Sequence, residues 1–347
     1  MRIAICGLPC SGKSTLFKAL VGQANQPKTH ASGKAQLNLG TLEVRDSRLS
    51  QLGQMLNSEK ITYPKITLVD LGYTAEASSK GVETAQIREF EALVVVIAVF
   101  SSPDSVSDLT NIEQEFILAD LQMAQNRIER INKEKKGRPQ KEEDPELALV
   151  KRCAQTLEAE KFVSTLGLPS EQLKLVAGFQ FLTLKPIVVV ANISEQQLTQ
   201  KATDQLEQKA RAAGFGFLAV CAKLESEIEE LAAEERETFL KEMGLTSLST
   251  EKFIQASFLA QGLISFFTVV GKEARAWPIR QGTSALAAAG CIHSDMERGF
   301  IRAEVINHKD FAACGGFPQA KEKGLLRLES KEYVVSDGDI INFKFSV

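Results

Sequence analysis

The 347-residue sequence predicts a doubly wound α/β fold interrupted by an antiparallel helical hairpin. Three observations predict it. A short apolar strand runs into a glycine-bearing loop and then a helix at residues 3–20. Apolar runs recur downstream, separated by helical stretches, the mark of a parallel sheet with crossover helices. Two narrow apolar seams, spaced by fours and threes, occupy the middle of the chain.

The opening segment carries the chemistry. Ile3-Ala4-Ile5-Cys6 reads as a buried strand, and Thr15 to Leu20 as the start of a helix. Between them, Gly7, Leu8, Pro9, Cys10, Ser11, Gly12, Lys13, Ser14 and Thr15 spell G-x-x-x-x-G-K-S-T, the phosphate-binding loop pattern in the context it requires. Gly7 and Gly12 permit backbone angles closed to other residues. The loop can then turn its N–H groups onto phosphate oxygens, and the helix behind it adds its positive end. Lys13 is placed to reach the outer phosphates and Ser14 to ligate magnesium. A glycine-rich turn without a ligand is the plain alternative. Cys10 stands inside the loop, either as a small filler or as a thiol whose oxidation blocks the site.

Composition bounds the rest. With 44% hydrophobic and 24% charged residues the chain is an ordinary globular protein of two or three domains. A net charge of −3 offers no global field for nucleic acid. The strand begins at residue 2, which leaves no room for a targeting segment, and the longest apolar run, Ala92 to Phe100, is too short to span a bilayer. Six scattered cysteines without a C-x-x-C pair fit the reduced thiols of a cytoplasmic protein; no membrane association and a monomer are also expected.

Taken in order, the first helix ends near Gly22, and residues 24–36 read as a mobile loop. Leu42 and Val44 alternate as in a strand, and Arg48 to Leu56 reads as a helix. Ile66 to Asp70 is a strand ending in a carboxylate, which in a phosphate-loop protein sits beside the magnesium; capping of the next turn is the alternative. Leu93–Val99, Pro186–Ala191 and Phe217–Cys221 are further strands, with a helix over Thr199–Ala213. The insertion starts with a helix over Asn111–Lys136, whose seam is Ile117, Leu121, Ala124, Ile128 and Ile131. Lys133 to Glu146, charged and carrying Pro139 and Pro145, reads as a turn. Leu147, Val150, Ala154 and Leu157 resume the seam. A projecting arm is favoured over two helices lying flat on the core.

Asn192-Ile193-Ser194-Glu195 ends a late strand and approaches the N-K-x-D pattern that reads guanine. Glu195 is a methylene longer than Asp and misplaced for a bidentate contact, a loss of about 1–3 kcal/mol of discrimination by analogy with base readout. Ile193 offers the base only an apolar surface. Cys221-Ala222-Lys223 fits the loop closing over the base from the other side.

Beyond these motifs, Leu263 to Thr268, Glu273 to Trp277, Gly290 to Asp295, Glu297 to Val305, Tyr333-Val334-Val335 and Asp337-Gly338-Asp339 complete a pattern along nearly the whole chain. The sequence resembles the YchF / Obg-like ATPase family, a branch of the translation-factor GTPases. The resemblance implies a P-loop NTPase G domain at 1–108 and 183–272, an inserted antiparallel helical coiled-coil arm at 109–182, and a C-terminal β-grasp-like TGS domain at 273–347. It implies ATP (or GTP) with Mg²⁺, slow hydrolysis as a switch, and a ribosome or RNA partner reached through the arm and the TGS domain. The magnesium residues carried over are Ser14 and Asp70. The base-side residues are Asn192, Ile193, Glu195, Cys221, Ala222 and Lys223.

The departures concern the switches. Lys34 stands where the family has a Thr before Asn38 and Gly40. The second switch reads Asp70-Leu71-Gly72-Tyr73 with its glycine displaced, and the stretch after Ser79-Lys80-Gly81 is shortened. No catalytic Gln follows, which leaves backbone atoms of residues 70–76, or a partner, to position water. Nucleotide binding is therefore better supported than hydrolysis. A non-hydrolysing docking module stays open, and a small-molecule kinase would need an arginine lid that no segment offers. Residues 273–347 balance ten Lys/Arg against ten Asp/Glu, so RNA contact there would rest on local patches. His293 reads as structural or partner-facing, and Trp277 with Phe266-Phe267 as packing at a domain junction.

Overall fold

A computed structural model describes residues 1–22, 28–32, 35–71, 82, 84–135, 144–198, 202–231, 235–236 and 249–346. In chain order the elements are β1 (Arg2–Gly7), α1 (Lys13–Val21), β2 (Lys28–Ser32), β3 (Ala35–Glu43), α2 (Ser47–Met55), β4 (Lys60–Thr62), β5 (Lys65–Asp70), β6 (Ala92–Ala98), α3 (Ser105–Lys135), α4 (Pro145–Glu158), α5 (Ser170–Val176), β7 (Ile187–Asn192), α6 (Asp204–Ala212), β8 (Gly216–Val220), α7 (Ala222–Glu230), α8 (Ser249–Ala260), β9 (Leu263–Val270), β10 (Glu273–Arg280), α9 (Ala285–Ile292), α10 (Ser294–Arg298), β11 (Phe300–Asn307), α11 (His308–Cys314), α12 (Phe317–Glu322), β12 (Arg327–Glu329) and β13 (Asp339–Phe345). They fall into two units, Met1–Thr41 with Thr67–Phe253, and Leu42–Ile66 with Ile254–Val347.

The first unit is built on a seven-stranded sheet in the order β2-β3-β5-β1-β6-β7-β8. Strands β5, β1, β6, β7 and β8 run parallel. Their β-branched sequences, ALVVVIA in β6 and IVVVAN in β7, are buried along almost their full length, as a sheet covered on both faces demands. Within the stretch 24–36, expected to be a loop, the described residues are strand instead: β2 pairs antiparallel with β3 from Lys28↔Leu39 to Ser32↔Ala35. The hairpin ends the sheet on one side, and backbone pairing holds it, so no apolar alternation announces it.

The insertion is one long helix answered by a shorter one. Leu109, Ile112 and Phe116 at the start of α3 lie in the sheet core. Further along, Ile117 and Ala124 join Val150, Cys153, Ala154 and Leu157 of α4 in a separate cluster, with Leu121 and Ile128 against it. The pair runs antiparallel. Arg127 donates to both Glu146 oxygens at 2.8 and 3.0 Å, whereas Cys153 lies within electrostatic reach of Asp120, so later residues of α4 meet earlier ones of α3. Pro145, expected in the turn, is the first residue of α4. Asp144 caps it by accepting from Glu146 N at 2.9 Å, and proline is well suited to a position whose N–H is unpaired. Val163, Val176 and Phe181, from segments the sequence reading left unassigned, close the cluster.

One buried node ties the hairpin to the sheet. Asp120, fully buried on α3, accepts from Arg88 Nη1 at 2.6 Å, Leu182 N at 3.1 Å, Thr183 N at 2.8 Å and Thr183 Oγ1 at 2.7 Å. Asp120→Ala strands the Arg88 guanidinium and three further donors. A loss of about 3–5 kcal/mol is expected, read as a lowered urea midpoint at unchanged m-value.

The second unit is a six-stranded sheet, β12-β11-β13-β9-β10-β4. Two stretches assigned by sequence to the first domain belong here: residues 42–66, and β9 with the chain from 254. Leu49 and Leu52 of α2 pack with Phe267, Phe311 and Ile340. Arg48 on the same helix donates to Asp337 Oδ2 at 2.6 Å, and Asp337 Oδ1 accepts from Ser265 N at 3.0 Å. Phe266 and Phe267 face opposite sides of this sheet, each in a different core cluster, as adjacent strand residues must. Trp277 stacks on Phe266 and donates to Thr268 Oγ1 at 2.9 Å. Phe266 and Phe267 are therefore core residues of this unit, with Trp277 half-buried against Phe266. His293 Nδ1 accepts from Asp295 N at the start of α10, and its ring is exposed.

Candidate functional site

β1 lies between β5 and β6, in register Ile5↔Asp70 and Gly7↔Val96. The loop after it leaves from the carboxyl edge of a central parallel strand, where open α/β sheets form their ligand crevice. Two glycines are required for its path. Gly7 has φ 145°, and a Cβ there would sit 2.4 Å from the Val96 carbonyl oxygen. Gly12 has φ 88°, and a Cβ there would sit 2.2 Å from Asn192 Nδ2. Gly12 is also the N-cap of α1. No side chain caps this helix and no acidic residue occupies its first turn, so its positive end is kept for an anion.

Lys13 arches back over the loop, donating from Nζ to Gly7 O at 3.1 Å and Leu8 O at 2.8 Å. Burial pushes its amine below the ordinary lysine value, while Cys6, Asp70 and Cys10 pull it back up. Cys6 beneath it is itself pushed up to about 12 by burial, so that thiol stays neutral. Cys10 is exposed in a left-handed conformation, φ 60°. Ser11 is buried, and its Oγ has no partner. Leu8 to Ser11 also line a cavity of about 150 Å³ with Val96–Ala98, Ser101, Ser102 and Asp108.

Ser14 is exposed in the first turn of α1, and Asp70 closes β5 at 2% exposure, accepting from Asn38 Nδ2 at 3.2 Å. A hydroxyl and a carboxylate are the hard oxygen donors that suit magnesium. Among the described residues no cluster of three or more His, Cys, Asp or Glu could hold a metal. This donor set therefore fits an ion held mainly by ligand phosphates and water, as phosphate-loop sites require.

On the base side, Asn192 joins three loops. Its Nδ2 donates to Ser11 O at 3.0 Å, and its Oδ1 accepts from Ala222 N at 3.2 Å. Glu195 opens a short 3₁₀ turn and pairs with Lys223 at 3.6 Å, both side chains exposed. Ile193, Cys221 and Ala222, expected beside the base, are buried. They are 7%, 3% and 0% exposed, with Ile193 and Cys221 inside the sheet core. Ala222 ties two of the loops through its backbone N–H, and the apolar residues at these strand ends pack into the core. Lys34, Gly72, Tyr73, Ser79, Lys80 and Gly81, named for the switches, lie outside the described residues, as do 136–143 of the charged tip.

The comparisons with known proteins converge on one lineage. Residues 2–136 match a family described as 50S ribosome-binding GTPase, and 263–346 match the YchF GTPase C-terminal family, described as a protein of unknown function. Over its full length the chain is 37% identical to the "Ribosome-binding ATPase YchF" of Bacillus subtilis, all of which is covered. The chain belongs to the YchF family. The YchF relative from Haemophilus influenzae is 35% identical over the whole chain and 99% of its own length. The solved structure of the Schizosaccharomyces pombe YchF GTPase shares the fold, with a TM-score of 0.81 at 22% identity over 99% of this chain and 97% of that one.

The matches give the chain a P-loop GTPase domain that includes residues 2–136 and a YchF C-terminal region at 263–346. Two residues of this YchF chain escaped the sequence reading. Asn38 was noted only as a retained switch residue, and its partner Asp70 lies 32 positions away. Gln197 completes a capping box with Ser194 and donates to Val99 O at 3.3 Å, which steadies the turn bearing Glu195. The S-x-x-Q spacing was the available signal for it. Among the described residues no helix is long and apolar enough to cross a membrane.

Proposed function

We propose that this chain is a cytoplasmic, monomeric nucleotide switch that prefers ATP to GTP, hydrolyses it slowly and reports its bound state to the ribosome. The observation that carries this reading is the loop Gly7–Thr15: a left-handed Gly12 opens an uncapped helix, and Lys13 is folded over the loop carbonyls. Loop N–H groups and Lys13 hold the phosphates. Ser14 and Asp70 hold magnesium, which when bound neutralises phosphate charge. The names of the relatives support the ribosome and ATP as partners. The helical hairpin and the C-terminal unit, read as arm and TGS domain, are the surfaces proposed for docking.

Base choice rests on Glu195. Its carboxylate pairs with Lys223, and its extra methylene and its place in the motif disfavour a bidentate contact with the N–H groups of guanine. Side-by-side titration of magnesium ATP and magnesium GTP should give tighter ATP binding; tighter GTP binding would overturn this reading. A second reading, a docking module that binds nucleotide without hydrolysing it, is favoured by Lys34 in place of the switch threonine. Single-turnover hydrolysis with and without ribosomes separates the two.

A further inference from the structure

Asp70 is a carboxylate at 2% exposure, and such a group is stable inside a protein only when donors replace the water it has lost. The Asn38 amide supplies one, at 3.2 Å to Oδ2. The donor comes from β3, which is adjacent to β5 in the sheet, and Asn38 is itself register partner to Thr29 of the β2–β3 hairpin. The side chain thus reaches from the hairpin to the carboxylate beside the phosphate loop. That carboxylate also lies within electrostatic reach of Lys13. Among the described residues no hydrogen bond engages Oδ1, which can then accept from a metal-bound water.

We propose that Asn38 is a positioning residue for magnesium: its amide fixes the orientation of Asp70 so that the carboxylate meets the water shell of a nucleotide-bound ion. The inference rests on the reading above that nucleotide binds here with magnesium. Groups that orient metal-holding side chains set affinity for the ion without touching it. A leucine at 38 would match the shape of asparagine but bring no donor, so the hydrogen bond and not the volume is the operative feature.

The test is the binding of a fluorescent ATP analogue to the full chain, titrated with magnesium and repeated in EDTA. Asn38→Leu is compared with the unsubstituted protein, and Asn38→Ser, a shorter donor, serves should the leucine variant melt early. The magnesium concentration for half effect should rise roughly tenfold in either variant. Affinity in EDTA, set by Lys13 and the loop amides, should be unchanged. An unaltered magnesium dependence overturns the inference, as does an equal loss with and without magnesium, which marks a merely structural residue. Failure of the underlying reading is seen separately: the unsubstituted protein would then bind no analogue, or bind it without responding to magnesium, and the inference would fall with it.

Discussion

Lys13→Ala is expected to abolish useful affinity for magnesium ATP while leaving the protein folded. The ammonium is the one cation of the loop, held at 2.8–3.1 Å from the loop's own carbonyls. It is already partly desolvated, so burial holds its pKa down in the free protein. A triphosphate would set strong negative charge against a cation that has paid part of its desolvation on folding. Removing one member of such a pair costs about 3 kcal/mol, roughly a hundredfold in affinity. Stability should change little, because the lost hydrogen bonds to the Gly7 and Leu8 carbonyls are offset by relief of a buried charge. Calorimetric titration beside a thermal melt reads both quantities. Retained affinity in a folded variant would remove the phosphate loop from the account.

Gly12→Ala should damage binding and stability together, for a reason outside the loop's own sequence. The left-handed backbone at φ 88° costs alanine about 1–2 kcal/mol. The new Cβ would also lie 2.2 Å from Asn192 Nδ2 and drive that amide off Ser11 O. Unpairing a buried amide adds about 1–3 kcal/mol. Because Asn192 Oδ1 also receives the Ala222 N–H, the base-side loop should loosen as well. A double-mutant cycle with Asn192→Ala isolates the clash: in that background the cost of Gly12→Ala should fall to the backbone part alone. Strict additivity would show that the two residues do not communicate.

Much of the site was legible because its parts are local. Residues 7 to 15 are contiguous, and backbone geometry dictates the glycine spacing whatever surrounds it. The helical seams were readable for the same reason, since their period belongs to a single helix; Ile117, Ala124, Val150 and Leu157 all lie in the expected cluster. Residue roles at strand ends were less legible. Ile193 was read as offering the base an apolar surface and Cys221 as part of the loop over it; the burial of both in the sheet core was not legible from the sequence. Sequence places a residue in a loop but does not say which way the loop turns it. The β2–β3 hairpin escaped for a related reason: its pairing is a property of the backbone.

The amino-acid order by itself determined the phosphate loop, the alternation of strands and helices, the hairpin insertion and the family lineage. Each is written in short-range spacing or in motifs that survive along the chain. Tertiary structure alone decided which distant groups share a charge or a hydrogen bond. It joined Asn38 to Asp70, Arg88 to Asp120, and Asn192 to both Ser11 and Ala222. It also gave residues 42–66 to the second unit, where Leu49 and Leu52 bury themselves and Arg48 finds Asp337. The physical reason is common to these cases. A buried polar group or an apolar helix face must find its complement somewhere, and only the closed fold determines where along the chain that complement lies.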